Sequence, residues 1–218
     1  MADEILDISP VISSRLGVFP GDQPYVRTVS MSFARGDHLE LSRIQTTVHL
    51  GAHADAPCHY AAQGAGIGER PLRPYLGRAQ VITANGPPGG RVGLTHLATQ
   101  NIQAPRVLLR TGSFADPDHW NADFCGLEPS LIDWLADRGV CLIGIDTPSI
   151  DPEASKNLET HARVFARDLA ILEGLDLRTA VDGFYALIAL PLRLEGADAS
   201  PVRAVLLPAS ALGGQAPW

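Results

Sequence analysis

Apolar and polar residues follow different patterns in the two halves of the chain. In the first half they alternate, as in residues 39–50, which is typical of strands with one covered face. In the second half, continuous apolar runs such as 140–145 indicate strands that are covered on both faces. Together the patterns predict strands at 5–8, 25–31, 39–50, 80–83, 106–110, 140–145, 184–194 and 202–207.

Helical patterns fall between the strands, mainly in the second half. The segment 129–138 has a proline in its first turn, an apolar face, and a glycine, Gly139, just beyond its end. Composition also predicts a helix at 155–167 and a short one at 94–101. Because helices alternate with strands in this way, we expect a single mixed α/β domain over residues 1–218, built around a central sheet.

The composition is that of an ordinary globular protein, with 45% hydrophobic and 19% charged residues among 218. A net charge of −7 with scattered Lys and Arg argues against nucleic-acid and anionic-membrane partners. Three cysteines without a CxxC pair favour free thiols in a reducing compartment. The first residues include acidic side chains and no apolar run, which is unlike a secretory signal peptide. No segment approaches the about 20 apolar residues of a membrane span. We therefore expect a soluble, cytoplasmic protein.

The candidate chemistry is concentrated in residues 49–60, which hold three of the seven histidines. A glycine and a proline within the stretch argue against a helix. In an extended segment side chains alternate with a period of two, so the odd-numbered His49, His53, Asp55 and His59 would all point the same way. Two imidazoles and a carboxylate form a typical site for zinc or a similar divalent ion, and His59 is placed to move protons beside it. The alternative is a surface strand whose histidines merely lie near one another.

Other features of the sequence leave alternatives open. Glu173 lies in an otherwise apolar segment, where a carboxylate needs a metal or a salt bridge. The polar cluster 146–151 follows a buried strand, where it either carries function or caps turns. Phe19, before a Pro-Gly-Asp turn, either packs on the core or covers a pocket. We expect His119 and Trp120 at the surface or in packing rather than as ligands.

The spacing His49-x-Gly51-x-His53-x-Asp55-x-Pro57-x-His59 resembles the signature of the metal-dependent cyclase family. Further similar segments lie at 6–9, 20–24, 151–156, 169–174, 187–192 and 198–204, so the resemblance covers most of the chain in order. Within the family, the chain is most similar to bacterial enzymes that hydrolyse N-formyl-L-kynurenine. The resemblance implies the family's swivelling β/β/α fold and a homodimer, to which the apolar Trp218 at the end of the chain also points.

The resemblance further implies a role for each candidate residue. It implies zinc, or another divalent metal, with two ions per subunit. The implied ligands are His49, His53 and Asp55 for the first ion, and Asp55, His161 and Glu173 for the second. His59 corresponds to the family's proton donor and acceptor. Phe19 stands where the related enzymes carry a substrate-contacting tryptophan.

The implied reaction is hydrolysis of a small N-formyl arylamine such as N-formyl-L-kynurenine, giving kynurenine and formate in tryptophan breakdown. Metal-activated water attacks the formyl carbonyl, while His59 takes a proton and returns it to the departing aniline nitrogen. Departures from the family pattern at Phe19, 162–163 and Asp168 leave the exact substrate open. One alternative is a cyclase-family amidohydrolase that opens a cyclic amide such as isatin. A non-catalytic metal-binding protein is another, but it gives His59 no task. A serine-hydrolase route needs a Gly-x-Ser-x-Gly motif, which the sequence lacks.

Overall fold

The computed structural model describes residues 5–212, where thirteen strands and three short α-helices follow one another. The strands are β1 (Leu6–Asp7), β2 (Val26–Met31), β3 (Leu41–Gln45), β4 (His53–Asp55), β5 (Leu76–Thr83), β6 (Arg91–Val92), β7 (Arg106–Arg110), β8 (Gly126–Leu127), β9 (Leu142–Ile145), β10 (Ala170–Glu173), β11 (Gly183–Ile188), β12 (Ala199–Pro201) and β13 (Val205–Pro208). The helices are α1 (Pro57–Tyr60), α2 (Pro129–Ala136) and α3 (Glu159–Ala166). Short 3-10 turns lie at Phe33–Arg35, Ile67–Glu69, Arg73–Tyr75, Leu94–His96 and Ala209–Leu212.

Nine of these strands form one mixed sheet in the order β1-β13-β11-β5-β7-β9-β10-β4-β12. The centre of the sheet, from β5 through β7 and β9 to β10, is parallel. The strands on either side of this centre pair antiparallel. Two further pairs, β2–β3 and β6–β8, form small sheets of their own. A large mixed sheet with helices packed on it belongs to the α/β class, so the predicted fold class is confirmed.

The central strands are apolar on both faces because both faces are covered. Along β9 and β10, successive side chains point to opposite sides of the sheet. Leu142 and Leu172 therefore join the core on one side, and Ile143 and Ile171 join the core on the other side, where α2 and α3 pack. All four side chains are buried. Cover on both faces explains why the sequence shows continuous apolar runs here instead of alternation.

Several predicted elements are shorter in the structure than the sequence pattern indicates. The observed bounds, with the predicted ones in brackets, are 41–45 (39–50), 183–188 (184–194), 205–208 (202–207) and 159–166 (155–167). The last helix begins late because Leu158, just before it, has a left-handed φ of 48°. An α-helix cannot pass through such a residue, so the start of α3 is fixed at Glu159.

The helix predicted at 94–101 was wrong, because only the 3-10 turn Leu94–His96 forms there. The backbone groups that would continue the helix are used by the neighbouring sheet. His96 accepts a hydrogen bond from the backbone of Asn85, and Ala98 donates one to the carbonyl of Thr83. Tertiary pairing therefore overrides the local preference of this segment.

The hairpin of β2 and β3, called the arm below (residues 26–45), forms a two-stranded sheet apart from the main one. Its apolar side chains Val26, Phe33, Leu41 and Ile44 are between 46% and 63% exposed. No residue of β3 is buried by the described part of the chain. The alternation in this part of the sequence predicted one covered face, whereas the structure leaves both faces of the arm open.

In the part of the chain that the structure describes, no helix combines the length and the apolar character that crossing a bilayer requires. Trp218, which supported the expected homodimer in the sequence, lies outside the described residues 5–212.

Candidate metal and catalytic site

The pairing of β4 with β10 brings the first site residues together. His53 and Asp55 are two positions apart on β4, so both side chains lie on the same face of the sheet. The residue directly opposite His53 on β10 is Glu173. Side chains of directly opposed residues lie side by side on one face, so this register places the Glu173 carboxylate next to the His53 imidazole. All three side chains are buried.

Two imidazoles and two carboxylates interleave at the centre of the site. His53 Nε2 lies 3.4 Å from Asp55 Oδ1 and 3.3 Å from Glu173 Oε2. His161 Nε2, from α3, lies 3.5 Å from Asp55 Oδ2 and 3.4 Å from Glu173 Oε1. Each carboxylate therefore turns one oxygen toward each imidazole. This arrangement suits two positive charges that share both carboxylates.

The spacing of these atoms fits ligands of a metal ion better than hydrogen bonds. Among residues 5–212, His53 Nε2, His161 Nε2 and both Asp55 carboxylate oxygens have no hydrogen-bond partner although they are buried. Donor–acceptor distances in N–H···O hydrogen bonds are about 2.7–3.2 Å, shorter than those found here. Ligand atoms bound at about 2.0–2.1 Å to one tetrahedral ion lie about 3.3 Å apart. The residues present therefore fit a divalent metal.

The outer nitrogen of each central imidazole is held by a hydrogen-bond acceptor. His53 Nδ1 is 2.8 Å from the Gly51 carbonyl oxygen, and His161 Nδ1 is 2.8 Å from Asp151 Oδ2. An imidazole that donates its outer N–H keeps a lone pair on the inner nitrogen, which is the arrangement that metal-binding histidines use. Arg91 Nη1 in turn contacts Asp151 Oδ1 at 2.6 Å. Both rings are thus fixed in direction by partners outside the cluster.

The Gly51 carbonyl, which lies behind His53, leaves no room for a side chain at position 174. Gly174, with a left-handed φ of 64°, lies against the Gly51 carbonyl that accepts from His53. A Cβ atom at position 174 would come within 2.2 Å of that carbonyl oxygen. Any other residue would both strain the backbone and displace the acceptor that orients His53. Glycine at this position is therefore part of how the site is built.

The electrostatics of the cluster call for positive charge. Burial lowers the pKa of His53, but the neighbouring Asp55 and Glu173 carboxylates outweigh it and raise that pKa to about 10. Burial raises the pKa of Asp55, but contacts with His161, His49 and His53 hold it well below its ordinary value. Two buried carboxylates are costly unless positive charges compensate them, and protons on the imidazoles or a bound cation can do so.

His49 and His59 extend the cluster toward the surface, with Asp198 between them. His49 Nδ1 is 3.1 Å from Asp55 Oδ1, and His49 Nε2 is 3.1 Å from Asp198 Oδ2. His59 Nδ1 lies 3.5 Å from the same Asp198 oxygen, and its ring centroid is 4.2 Å from that of His49. The His59 side chain is 34% exposed, against 2% for His53. His59 is thus the histidine of this group with the readiest access to solvent.

The expectation that residues 49–60 form one extended segment was wrong. The strand covers only His53–Asp55, and the chain turns before it at Gly51, which has a left-handed φ of 56°. Pro57 occupies the first turn of α1 and places His59 on a short helix. The four predicted groups still converge, because the turn and the helix bend the chain around Asp55. Alternation along β4 therefore brings together only His53 and Asp55, and curvature of the chain on either side brings His49 and His59 to them.

The cluster opens into a cavity of about 510 Å³, which has the size of a small-molecule site. Phe19, Phe114 and Trp120 line it together with His59 and His161. The Phe19 and Trp120 rings meet edge to face, with centroids 5.3 Å apart. The structure therefore places Phe19 on the cavity wall with its side chain 38% exposed. One wall of the cavity is aromatic, and another carries the titratable groups.

Sequence reasoning missed three residues of this region. Asp198 was included only as part of the similar segment 198–204, with no role of its own, although it contacts both His49 and His59. Asp151 was weighed only as part of a polar cluster, although it orients His161. Trp120 does pack, as expected, but it also lines the cavity. The available signal for the two aspartates was their position inside segments that resemble the family.

Comparison with known proteins identifies close relatives over nearly the whole chain. The family model described as "Putative cyclase" matches residues 6–152. The kynurenine formamidase of Bordetella petrii is 48% identical over 202 residues, which are 92% of this chain and 96% of that protein. The kynurenine formamidase of Bordetella pertussis is 49% identical over 201 residues, with the same coverage of both chains.

Solved structures are similar in fold. A structure described as a potential metal-dependent hydrolase with cyclase activity superposes with a TM-score of 0.78 at 28% identity, and the alignment covers 94% of this chain and 98% of the other. Isatin hydrolase A from Labrenzia aggregata superposes with a TM-score of 0.79 at 19% identity, over 94% of each chain. At that lower identity the similarity shows the fold alone.

Proposed function

This chain belongs to the cyclase family, and on that premise we propose that it hydrolyses N-formyl-L-kynurenine to L-kynurenine and formate. The structural observation that carries the proposal is the buried set of two imidazoles and two carboxylates at 3.3–3.5 Å, open to a cavity with an aromatic wall. The relatives at 48% and 49% identity, named as kynurenine formamidases, support this substrate over others.

We propose that the metal is zinc, with two ions per subunit. The residues that would hold the first ion are His49, His53 and Asp55, and those for the second are Asp55, His161 and Glu173. In support, Asp55 Oδ1 lies near His49 and His53, whereas Oδ2 lies near His161. When bound, a divalent ion there supplies Lewis acidity, which lowers the pKa of water and polarises a carbonyl oxygen.

His59 is the proposed proton carrier of the reaction. Attack of a water molecule on the formyl carbon requires a proton acceptor, and cleavage of the carbon–nitrogen bond requires a donor to the aniline nitrogen. His59 faces the cavity next to the cluster and contacts Asp198 rather than the buried carboxylates. The same imidazole can take the proton in the first step and return it in the second.

Hydrolysis assays on two substrates test the proposed function. We expect the purified protein to release formate from N-formyl-L-kynurenine, to lose this activity with a strong chelator, and to regain it when zinc is added back. The related alternative is the opening of a cyclic amide such as isatin, favoured only by a shared fold with isatin hydrolases. Opening of isatin without release of formate from the formamide would replace the proposed function with that alternative.

Phe19 is proposed to hold the aromatic ring of the substrate. Edge and offset ring contacts contribute about 0.5–1.5 kcal/mol beyond burial. We expect Phe19→Ala to raise KM for N-formyl-L-kynurenine about two- to tenfold, with bound metal unchanged, because binding and not chemistry is lost. Phe19→Trp should be tolerated or improve binding. Steady-state kinetics with Phe184→Ala as control, equally 38% exposed, check this. An unchanged KM would make Phe19 a packing residue.

We also propose a cytoplasmic homodimer that acts on a small molecule, without nucleic-acid or membrane partners. The exposed apolar residues of the arm support the dimer, since such a surface is typical of subunit contacts. Light scattering should give about twice the chain mass of 23.2 kDa. Ile44→Glu should yield monomers, whereas the control Val181→Glu, at an exposed apolar position off the arm, should not. A single monomeric species of the unmodified protein would contradict the dimer.

A further inference from the structure

Arg178 is the one Arg or Lys side chain that lines the cavity in the part of the chain that the structure describes. The remaining charged side chains of the wall, histidines aside, are all acidic: Asp22, Asp146, Glu173, Asp176 and Asp198. An anionic group that enters the cavity is repelled by these carboxylates and attracted to Arg178. Among the Arg, Lys, Asp and Glu side chains of the wall in the described residues, Arg178 is therefore the one that can attract a substrate carboxylate.

Arg178 forms a two-pronged ion pair with Asp176. Its Nε donates to Asp176 Oδ1 at 2.8 Å, and its Nη2 donates to Oδ2 at 2.6 Å. This pairing occupies one edge of the guanidinium. Among residues 5–212 the structure shows no acceptor for Nη1, and the side chain is 59% exposed. The second edge of the guanidinium is thus available to a ligand.

The backbone that carries this pair is fixed relative to the histidine and carboxylate cluster. The segment follows directly on Glu173, with one glycine between the strand and the loop. Leu175 donates to the Ile145 carbonyl at 3.1 Å, and Asp176 donates to the Ile8 carbonyl at 2.8 Å. Leu175 and Leu177 are buried on either side of Asp176. The backbone that carries Asp176 is therefore anchored next to the strand that carries Glu173.

We propose that the Asp176–Arg178 pair is the subsite for the α-amino-acid head of the substrate. Arg178 Nη1 binds the carboxylate, and Asp176 binds the ammonium group. The inference rests on the proposed function, because a simple arylformamide carries no such head. An ion pair that offers one positive and one negative group side by side matches an α-amino-acid zwitterion, whose ammonium and carboxylate groups are attached to the same carbon. Asp176 keeps acceptor capacity for it, since a carboxylate has about four lone-pair sites.

Two substrates that differ only in the carboxylate test this subsite. N-formylkynurenamine keeps the ring, the formamide and the ammonium group of N-formyl-L-kynurenine but lacks its carboxylate. We expect Arg178→Met to raise KM for N-formyl-L-kynurenine about five- to tenfold, the scale of a charge-assisted contact at a partly exposed site. For N-formylkynurenamine, KM should stay within about twofold of the unmodified enzyme, and kcat should change little for either substrate.

Matched variants and a binding measurement complete the test. Arg203→Met removes another exposed arginine with an aspartate partner, Asp7, outside the cavity, and should change neither KM. Arg178→Lys keeps the charge and should give an intermediate KM. An equal rise of KM for both substrates, or no rise for either, overturns the subsite while leaving the proposed function standing. If the unmodified enzyme hydrolyses neither formamide, the proposed function fails. In that case the subsite is tested separately, by calorimetry of L-kynurenine binding to the unmodified protein and to Arg178→Met. Weaker binding to the variant supports the subsite, and equal affinity overturns it.

Discussion

We expect His53→Ala to lose bound metal and hydrolytic activity together. His53 Nε2 is the imidazole atom placed against both Asp55 and Glu173, and His53 belongs to the first proposed ligand set. Its removal leaves two buried carboxylates with one fewer compensating group. Loss of a residue that merely supports a metal ligand costs about 10–100-fold in metal affinity or activity, so the loss of a ligand itself should cost at least about 100-fold.

Metal analysis after dialysis, alongside kinetics with N-formyl-L-kynurenine, measures both effects. His119→Ala is the matched control, because His119 is exposed and contacts Asp116 instead of the cluster. This control should keep full metal content and full rate. A circular dichroism spectrum of His53→Ala like that of the unmodified protein would show that the fold is kept. Full metal content and full rate in a folded His53→Ala protein would rule out the proposed ligand set.

His59→Ala should have a different signature: the rate falls while the metal stays. His59 contacts Asp198 and stands at the cavity, so its removal leaves the buried set of His53, Asp55 and Glu173 intact. Loss of a general acid–base group lowers kcat by about 10²- to 10⁴-fold. The structure also places His59 within reach of His49 and Asp55 as a possible metal group. Measurement of kcat and metal content in one preparation therefore separates the two roles.

Added imidazole provides a second measurement for His59. A small base that diffuses into the cavity can replace a missing proton carrier, so the rate of His59→Ala should rise with imidazole concentration. The same addition should leave Phe19→Ala unchanged, because that variant loses ring contact and no proton transfer. Loss of metal in His59→Ala, in proportion to the loss of rate, would assign His59 to the ligands instead.

The fold class and the family were both predictable from the sequence. Apolar runs over β7 and β9 identified the covered centre of the sheet, and the family resemblance is confirmed by the relatives at 48% and 49% identity. The ends of elements were less predictable, because tertiary contacts decide them. The segment after Leu94 has helical composition, yet its backbone pairs with the sheet. The helix propensity of a segment does not show whether its backbone will instead form hydrogen bonds with a neighbouring strand.

The residues of the site were named from the sequence, but their arrangement was not predictable. A period of two placed His49, His53, Asp55 and His59 on one face of a long strand, whereas the structure bends the chain around Asp55. Asp198 was missed because its role depends on contacts with residues about 140 to 150 positions earlier. Sequence patterns relate residues that are only a few positions apart, so they cannot predict contacts between residues this distant in the chain.

The position of β4 between β10 and β12 has a consequence for biosynthesis. A ribosome makes residues 53–55 long before residues 170–173 and 199–201, which supply the two neighbours of that strand. Until those later segments emerge, His53 and Asp55 have neither their pairing strands nor Glu173. Contacts between residues so distant in the sequence form late in folding. We therefore expect the proposed metal site to be complete only near the end of translation, when both neighbours of β4 have emerged.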